Sequence, residues 1–145
     1  MAFNIKEGHW SIGVIDRTCG IDKGVFSTPI WFASSGVAYN HETANNRNGE
    51  AVYAESGPIS LGAGDAVMAA TMLIPDELTQ GVVSATFKSR FHPNDTERSY
   101  GPYTMANPTD IRFTGRQVSM RIDGVANTSW RVGVPRLDVK AGGLR

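Results

Sequence analysis

The chain has 145 residues, in which 14 Lys and Arg balance 14 Asp and Glu and 19% of positions are charged. That length suits one domain, or one domain with an appendage, and is enough to bury a core without disulfides or metals. The even charge balance excludes a global field that would steer the chain onto nucleic acid or an anionic membrane, leaving only a local basic strip for such contacts.

The 16 glycines and 7 prolines are spread throughout, and apolar residues alternate rather than recurring every three or four positions. Period two with frequent turn residues predicts an all-β chain. Phe3 and Ile5, then Trp10, Ile12 and Val14, read as one hairpin around Lys6-Glu7-Gly8. Pro29 to Ala33 and Val37 to His41 read as a second, turning at Ser34-Ser35-Gly36. Asn45 to Gly49 is a polar loop. Four short strands in this space have the size of one propeller blade, which cannot bury both faces of its own sheet. Residues 1–50 are therefore read as a propeller-blade-like pair of hairpins.

From Ala51 the pattern lengthens into an antiparallel β-sandwich over residues 51–145. Ala51 to Glu55 is a short strand, and Ala66 to Ile74 is an apolar one suited to a sandwich interior. A single turn of helix is the most that Asp76 to Gln80 can make. Val83, Ala85, Phe87, Ser89 and Phe91 share one face of the next strand, with Ser84, Thr86, Lys88 and Arg90 on the other. His92 to Pro108 reads as a long irregular stretch, the kind that makes contacts. Ile111 to Ile122 is a strand region with Val118, Met120 and Ile122 inward and Gln117, Ser119 and Arg121 outward. Trp130, Val132 and Val134 line a final strand, and Leu137 and Val139 continue it briefly before a frayed tail.

No catalytic, metal or cofactor site is legible. The single cysteine, Cys19, cannot form an intrachain disulfide or a thiolate zinc cluster, and is expected to be a reduced, partly buried thiol. His9, His41 and His92 lack ligand partners at close spacing, and His41 reads as a strand-end group hydrogen-bonding a loop. Asp95 and Glu97 could serve glycoside hydrolysis only if held at the right separation, which nothing in the sequence enforces. Asp65 after Gly62-Ala63-Gly64 lacks the alternating oxygen ligands of a calcium loop, and one Gly-Xaa-Gly without a following helix is no nucleotide site. Asn127-Thr128-Ser129 reads as a turn. Ala66 to Pro75 is about half a membrane span and the N-terminus carries no basic stretch before an apolar run, so neither a membrane partner nor a secretion signal is expected.

The most suggestive set is Arg112, Arg116, Arg121, Arg131 and Arg136, close together in sequence on the last strands. They form either a strip touching nucleic acid or a partner's carboxylates, or a set paired internally with Asp110, Asp123 and Asp138. Tyr100 and Tyr103 in the long loop are further candidates for an interface or a DNA channel, though tyrosines equally suit a β core.

Several segments together carry a family resemblance: His9-Trp10-Ser11-Ile12-Gly13, Gly20-Ile21-Asp22-Lys23-Gly24-Val25-Phe26, Glu55-Ser56-Gly57-Pro58-Ile59-Ser60-Leu61-Gly62-Ala63-Gly64, Phe87 to Arg98, and Trp130-Arg131-Val132-Gly133. Their order and spacing over nearly the whole chain resemble the C-terminal region of virion structural proteins of tailed bacteriophages, chiefly the tail nozzle, tail hub or stabilisation proteins of short-tailed phages. The resemblance implies a non-catalytic component of a homo-oligomeric tail ring, a hexamer, located in the virion and made in the bacterial cytoplasm. It also implies other tail proteins as partners and transient contact with phage DNA passing through the ring. In that family a propeller usually precedes this region, whereas here only its last blade has a counterpart. A phage adsorption or carbohydrate-binding β-module, using Trp31, Tyr100 and Tyr103, is the alternative reading.

Overall fold

The computed structural model describes residues 2–6, 8–43, 50–62 and 66–144. The polar loop at Asn45 to Gly49 and the turn carrying Asp65 lie outside these residues. Among them every regular element is a β-strand and every strand pairing is antiparallel. No helix is long and apolar enough to cross a membrane. The chain divides into two units, Met1–Asn45 and Asn46–Arg145.

In the first unit β1 (Ala2–Asn4) and β2 (His9–Ser11) make a hairpin, with Phe3 opposite Trp10. A separate three-stranded sheet follows from β3 (Cys19–Ile21), β4 (Ile30–Phe32) and β5 (Ala38–Asn40), with β4 in the middle. The expected blade of four strands in one sheet is thus corrected. The first hairpin stays a sheet of its own, and β3, hidden in the sequence by the glycine at its centre, pairs with β4 instead. Each strand is only three residues long, too short to bury a side chain deeply. Cys19 accordingly is exposed, not partly buried as its residue type suggests.

The second unit is two facing sheets. Its strands are β6 (Val52–Glu55), β7 (Ile59–Ser60), β8 (Ala66–Ile74), β9 (Val83–Arg90), β10 (Arg98–Thr104), β11 (Thr109–Gly115), β12 (Gln117–Gly124) and β13 (Arg136–Leu144). One sheet runs β10-β9-β12-β6, with β7 also on β12; the other runs β11-β8-β13. The alternation of β9 is realised fully: Val83, Ala85, Phe87 and Ser89 are buried and the residues between them are half-buried. Those side chains meet Ala70 and Leu73 of β8, Ile111 and Phe113 of β11, and Val118 and Ile122 of β12 in one core. Phe87 and Leu73 are fully buried. This is the sandwich-like arrangement that alternating strands require when each sheet has one apolar face.

Three parts of the second unit depart from the sequence reading. The stretch Ile111 to Ile122 is two strands in different sheets, joined at Arg116 alone. Its backbone N–H donates to the Arg90 carbonyl and its carbonyl accepts from Leu61. Gly115 makes this corner possible, because a Cβ there would sit 3.0 Å from the Ser89 Cβ. The long stretch His92 to Pro108 contains β10, concealed by Gly101-Pro102. Gly101 has φ 119°, a conformation open to glycine, and the register with β9 shifts across it. Finally, Trp130 to Val134 is not a strand. Arg131 exchanges backbone hydrogen bonds with Gln80, and the Val134 N–H goes to the Asp76 carboxylate, so the segment serves the turn beside β8. The long strand instead is β13, which pairs with β8 where a frayed tail is expected. Ser119 keeps the outward side of β12 that it shares with Arg121, but it is buried there.

Candidate functional site

The five arginines do not form one strip. Arg112 is exposed between buried Ile111 and Phe113, so it lies on the outer face of the β11-β8-β13 sheet. Arg121 precedes buried Ile122 on β12 and lies on the outer face of the other sheet, across the sandwich. Arg116 occupies the corner between them. Arg136 begins β13, opposite Ile74, and Arg131 sits in the segment before it.

Arg121 is paired internally. Its guanidinium takes Asp123 in a fork, with Nε and Nη2 both donating to Oδ1 at 2.9 and 2.8 Å. It also approaches Glu55 at 3.8 Å and covers the Tyr53 ring at 3.8 Å. Hydrogen bonding to Asp123 first, then the charges of Asp123 and Glu55, hold it still more firmly protonated. Glu55 also binds Lys88, directly beside this group on β9. Register explains the cluster: Arg121 faces Glu55 on one side and Thr86 on the other, and Asp123 faces Tyr53. The outer face of this sheet is a satisfied polar network.

Arg131 and Arg136 act on Asp76. That carboxylate accepts the backbone N–H groups of Leu78 at 3.0 Å and Val134 at 2.9 Å. Its pKa is lowered, first by the Leu78 bond, then by the Val134 bond, with smaller help from the nearby charges of Arg136 and Arg131. Asp76 is a group the sequence reading passed over, although Asp followed two residues later by a turn N–H is ordinary turn chemistry.

Tyr100 and Tyr103 are placed against the core, not presented as an interface. Tyr100 packs on Phe113 at 5.5 Å between centroids and Tyr103 on Phe87 at 6.2 Å. Asp95 and Glu97 hold separate structural positions: Asp95 caps the His92 N–H at 2.9 Å and Glu97 faces Arg90 at 3.7 Å. Beside them an open cleft of about 460 Å³ is lined by Ser89, Arg90, Phe91, Asp95, Thr96 and Arg98. Arg90 is already engaged there, its Nε donating to Gln117 at 2.9 Å. Among the described residues no group of three or more His, Cys, Asp and Glu side chains converges to hold a metal.

The first unit carries a different surface. Arg17, in the loop before β3, donates from Nε to His41 Nε2 at 3.0 Å and lies over the Tyr39 ring at 3.9 Å. A neutral His41 with its proton on Nδ1 satisfies this geometry. Asp16 next to it accepts from the Ser34 N–H and hydroxyl. Gly20, Trp31 and Tyr39 stand in one row across the sheet, and the Trp31 ring lies flat on Gly20, where a Cβ would be 2.5 Å from the indole. Around this sheet the unit exposes a large apolar load: Val25 is fully exposed, Val14 90%, Ile5 88%, Ile12 78% and Trp10 64%. Only Pro29 and Ala33 are buried among its described side chains. No family model, no curated protein and no solved structure matches the chain.

Proposed function

We propose that this protein is a structural building block of a tailed-bacteriophage virion, a component of a tail ring assembled from copies of itself together with other tail proteins. The observation that carries the assembly part is the first unit: short strands and the loops between them expose Trp10, Ile12, Val14 and Val25, and only Pro29 and Ala33 are buried among its described side chains. A monomer rarely leaves so much apolar side chain in water, whereas an assembly component buries it against neighbours. The virion part rests on the ordered segments that resemble tail proteins. The second unit, with a well-packed core between two sheets, supplies a rigid body for such an assembly.

Size-exclusion chromatography with light scattering tests this reading. A mass several times that of the chain is the expected result. A stable, strictly monomeric protein at high concentration overturns it.

A second reading is favoured by one observation. Trp31 is 41% exposed, lies on Gly20, is the cross-strand partner of Tyr39 and meets the His41 ring at 6.1 Å between centroids, an exposed aromatic side chain of the kind on which a sugar ring stacks. Binding of oligosaccharides by the intact chain, lost on Trp31→Ala, is the result that would favour a carbohydrate-binding module instead.

A further inference from the structure

The β11-β8-β13 sheet has two free edges, since among the described residues β11 and β13 each pair only with β8. Exposed long edges invite pairing with another chain unless they are blocked. Both edge strands run antiparallel to β8 and therefore parallel to each other. A second copy in the same orientation can continue the sheet, its β11 lying alongside β13 of the first.

The charges on the outer face select how. On β11 the exposed outward residues are Asp110, Arg112 and Thr114; on β13 they are Arg136, Asp138 and Lys140. No ion pair joins Asp110, Arg112, Asp138 or Lys140 to another described side chain. Aligning Arg136 with Asp110 of the next copy also brings Asp138 to Arg112, giving two opposite-charge pairs. Sliding by two residues one way sets Asp138 against Asp110 and Lys140 against Arg112; sliding the other way sets Arg136 against Arg112. Like charges opposite each other are unfavourable, and odd shifts turn the faces over, so one register stands out. The Asp138 carbonyl accepts from the Thr71 hydroxyl of β8, where the register of β13 on β8 shifts between Asp138 and Val139.

We propose that copies of this chain join head to tail through β13 of one and β11 of the next, in the register that pairs Arg136 with Asp110 and Asp138 with Arg112. This deepens the assembly reading above and rests on it. Such a contact uses both edges of the β11-β8-β13 sheet in every copy, and closing it into a ring leaves neither of these two exposed. A twofold contact of β13 with itself also brings Asp138 to Lys140 but leaves both β11 edges open.

The test uses the full chain with two single variants, Arg112→Asp on β11 and Asp138→Arg on β13, because reversing both β11 charges would let Asp138 and Lys140 find new partners two residues along. Thermal melting checks that both fold; if Asp138→Arg does not, Asp138→Lys replaces it. By light scattering, wild type is expected to associate and each variant alone to give a lower mass at the same concentration. Mixing the two is expected to recover the wild-type mass, since each altered edge then meets an altered edge and each native edge a native one. A monomeric wild type overturns both this contact and the assembly reading. An associating wild type with equally associating variants overturns this contact alone. Loss in the β13 variant without loss in the β11 variant, and without rescue on mixing, overturns it in favour of the twofold contact.

Discussion

Phe87 of β9 and Phe113 of β11 stack across the sandwich with ring centroids 5.2 Å apart and planes 30° from parallel. This contact joins the two sheets at their centre, with Tyr100 and Tyr103 closing on it from β10. Because Phe87 is fully buried, Phe87→Ala removes transfer energy and leaves a cavity. It is expected to destabilise the second unit by about 3–5 kcal/mol in urea unfolding. Phe113→Ala should cost less in the Phe87→Ala background than alone, because the two share one contact. Additive losses would show that the rings act independently.

Trp130 lies on Gly124. A Cβ at Gly124 would fall 2.2 Å from the indole, so Gly124→Ala drives Trp130 off its seat. The indole Nε1 is buried without a hydrogen-bond partner among the described residues, and displacement opens it to water. The expected outcome is a red-shifted tryptophan emission with a loss of about 1–3 kcal/mol. An unchanged spectrum and stability would contradict this packing.

Asp76 sets a pH dependence with a definite sign. Its folded pKa is lowered from the ordinary 3.8 by the Leu78 and Val134 N–H groups and by Arg136 and Arg131. A depressed carboxylate adds stability that is fully present above its unfolded value and is lost as pH falls through its folded value. Wild type should therefore lose stability below about pH 4, the unfolded range of an aspartate. Asp76→Asn should be less stable at neutral pH and lose less over the same acid range. Denaturant midpoints at neutral and acid pH for both proteins give the comparison.

The polar face around Arg121 predicts a small effect despite its many contacts. Glu55 is partly exposed and joins both Lys88 and Arg121. Glu55→Gln is expected to cost less than about 1 kcal/mol, and the difference should shrink in high salt. A larger, salt-independent loss would mean that the network holds β6 to β12 by more than surface charge.

Much of the second unit was legible because its strands obey simple alternation. Val83, Ala85, Phe87 and Ser89 could be assigned to one face from spacing alone, as could Val118, Met120 and Ile122. β10 was not legible, since Gly101-Pro102 interrupts its pattern and two of its aromatic residues look like surface tyrosines. β13 was hidden by its terminal glycines, and Trp130 to Val134 imitates a strand although its backbone bonds go to Gln80 and Asp76. The arginine cluster misled for a topological reason. Residues nine apart, Arg112 and Arg121, lie on opposite outer faces because the chain changes sheets at Arg116, and no local pattern announces such a corner. In the first unit, the row of Gly20, Trp31 and Tyr39 depends on β3, which three residues centred on glycine cannot advertise.

That single-residue corner also governs how the second unit carries load. With only Arg116 between β11 and β12, and with its backbone tied to Arg90 on one side and Leu61 on the other, there is no slack between the sheets. Tension drawn along β11 passes straight into β12 at the centre of the opposite sheet. The two layers strain together rather than shearing apart, like a strap folded once over an edge and pinned at the fold.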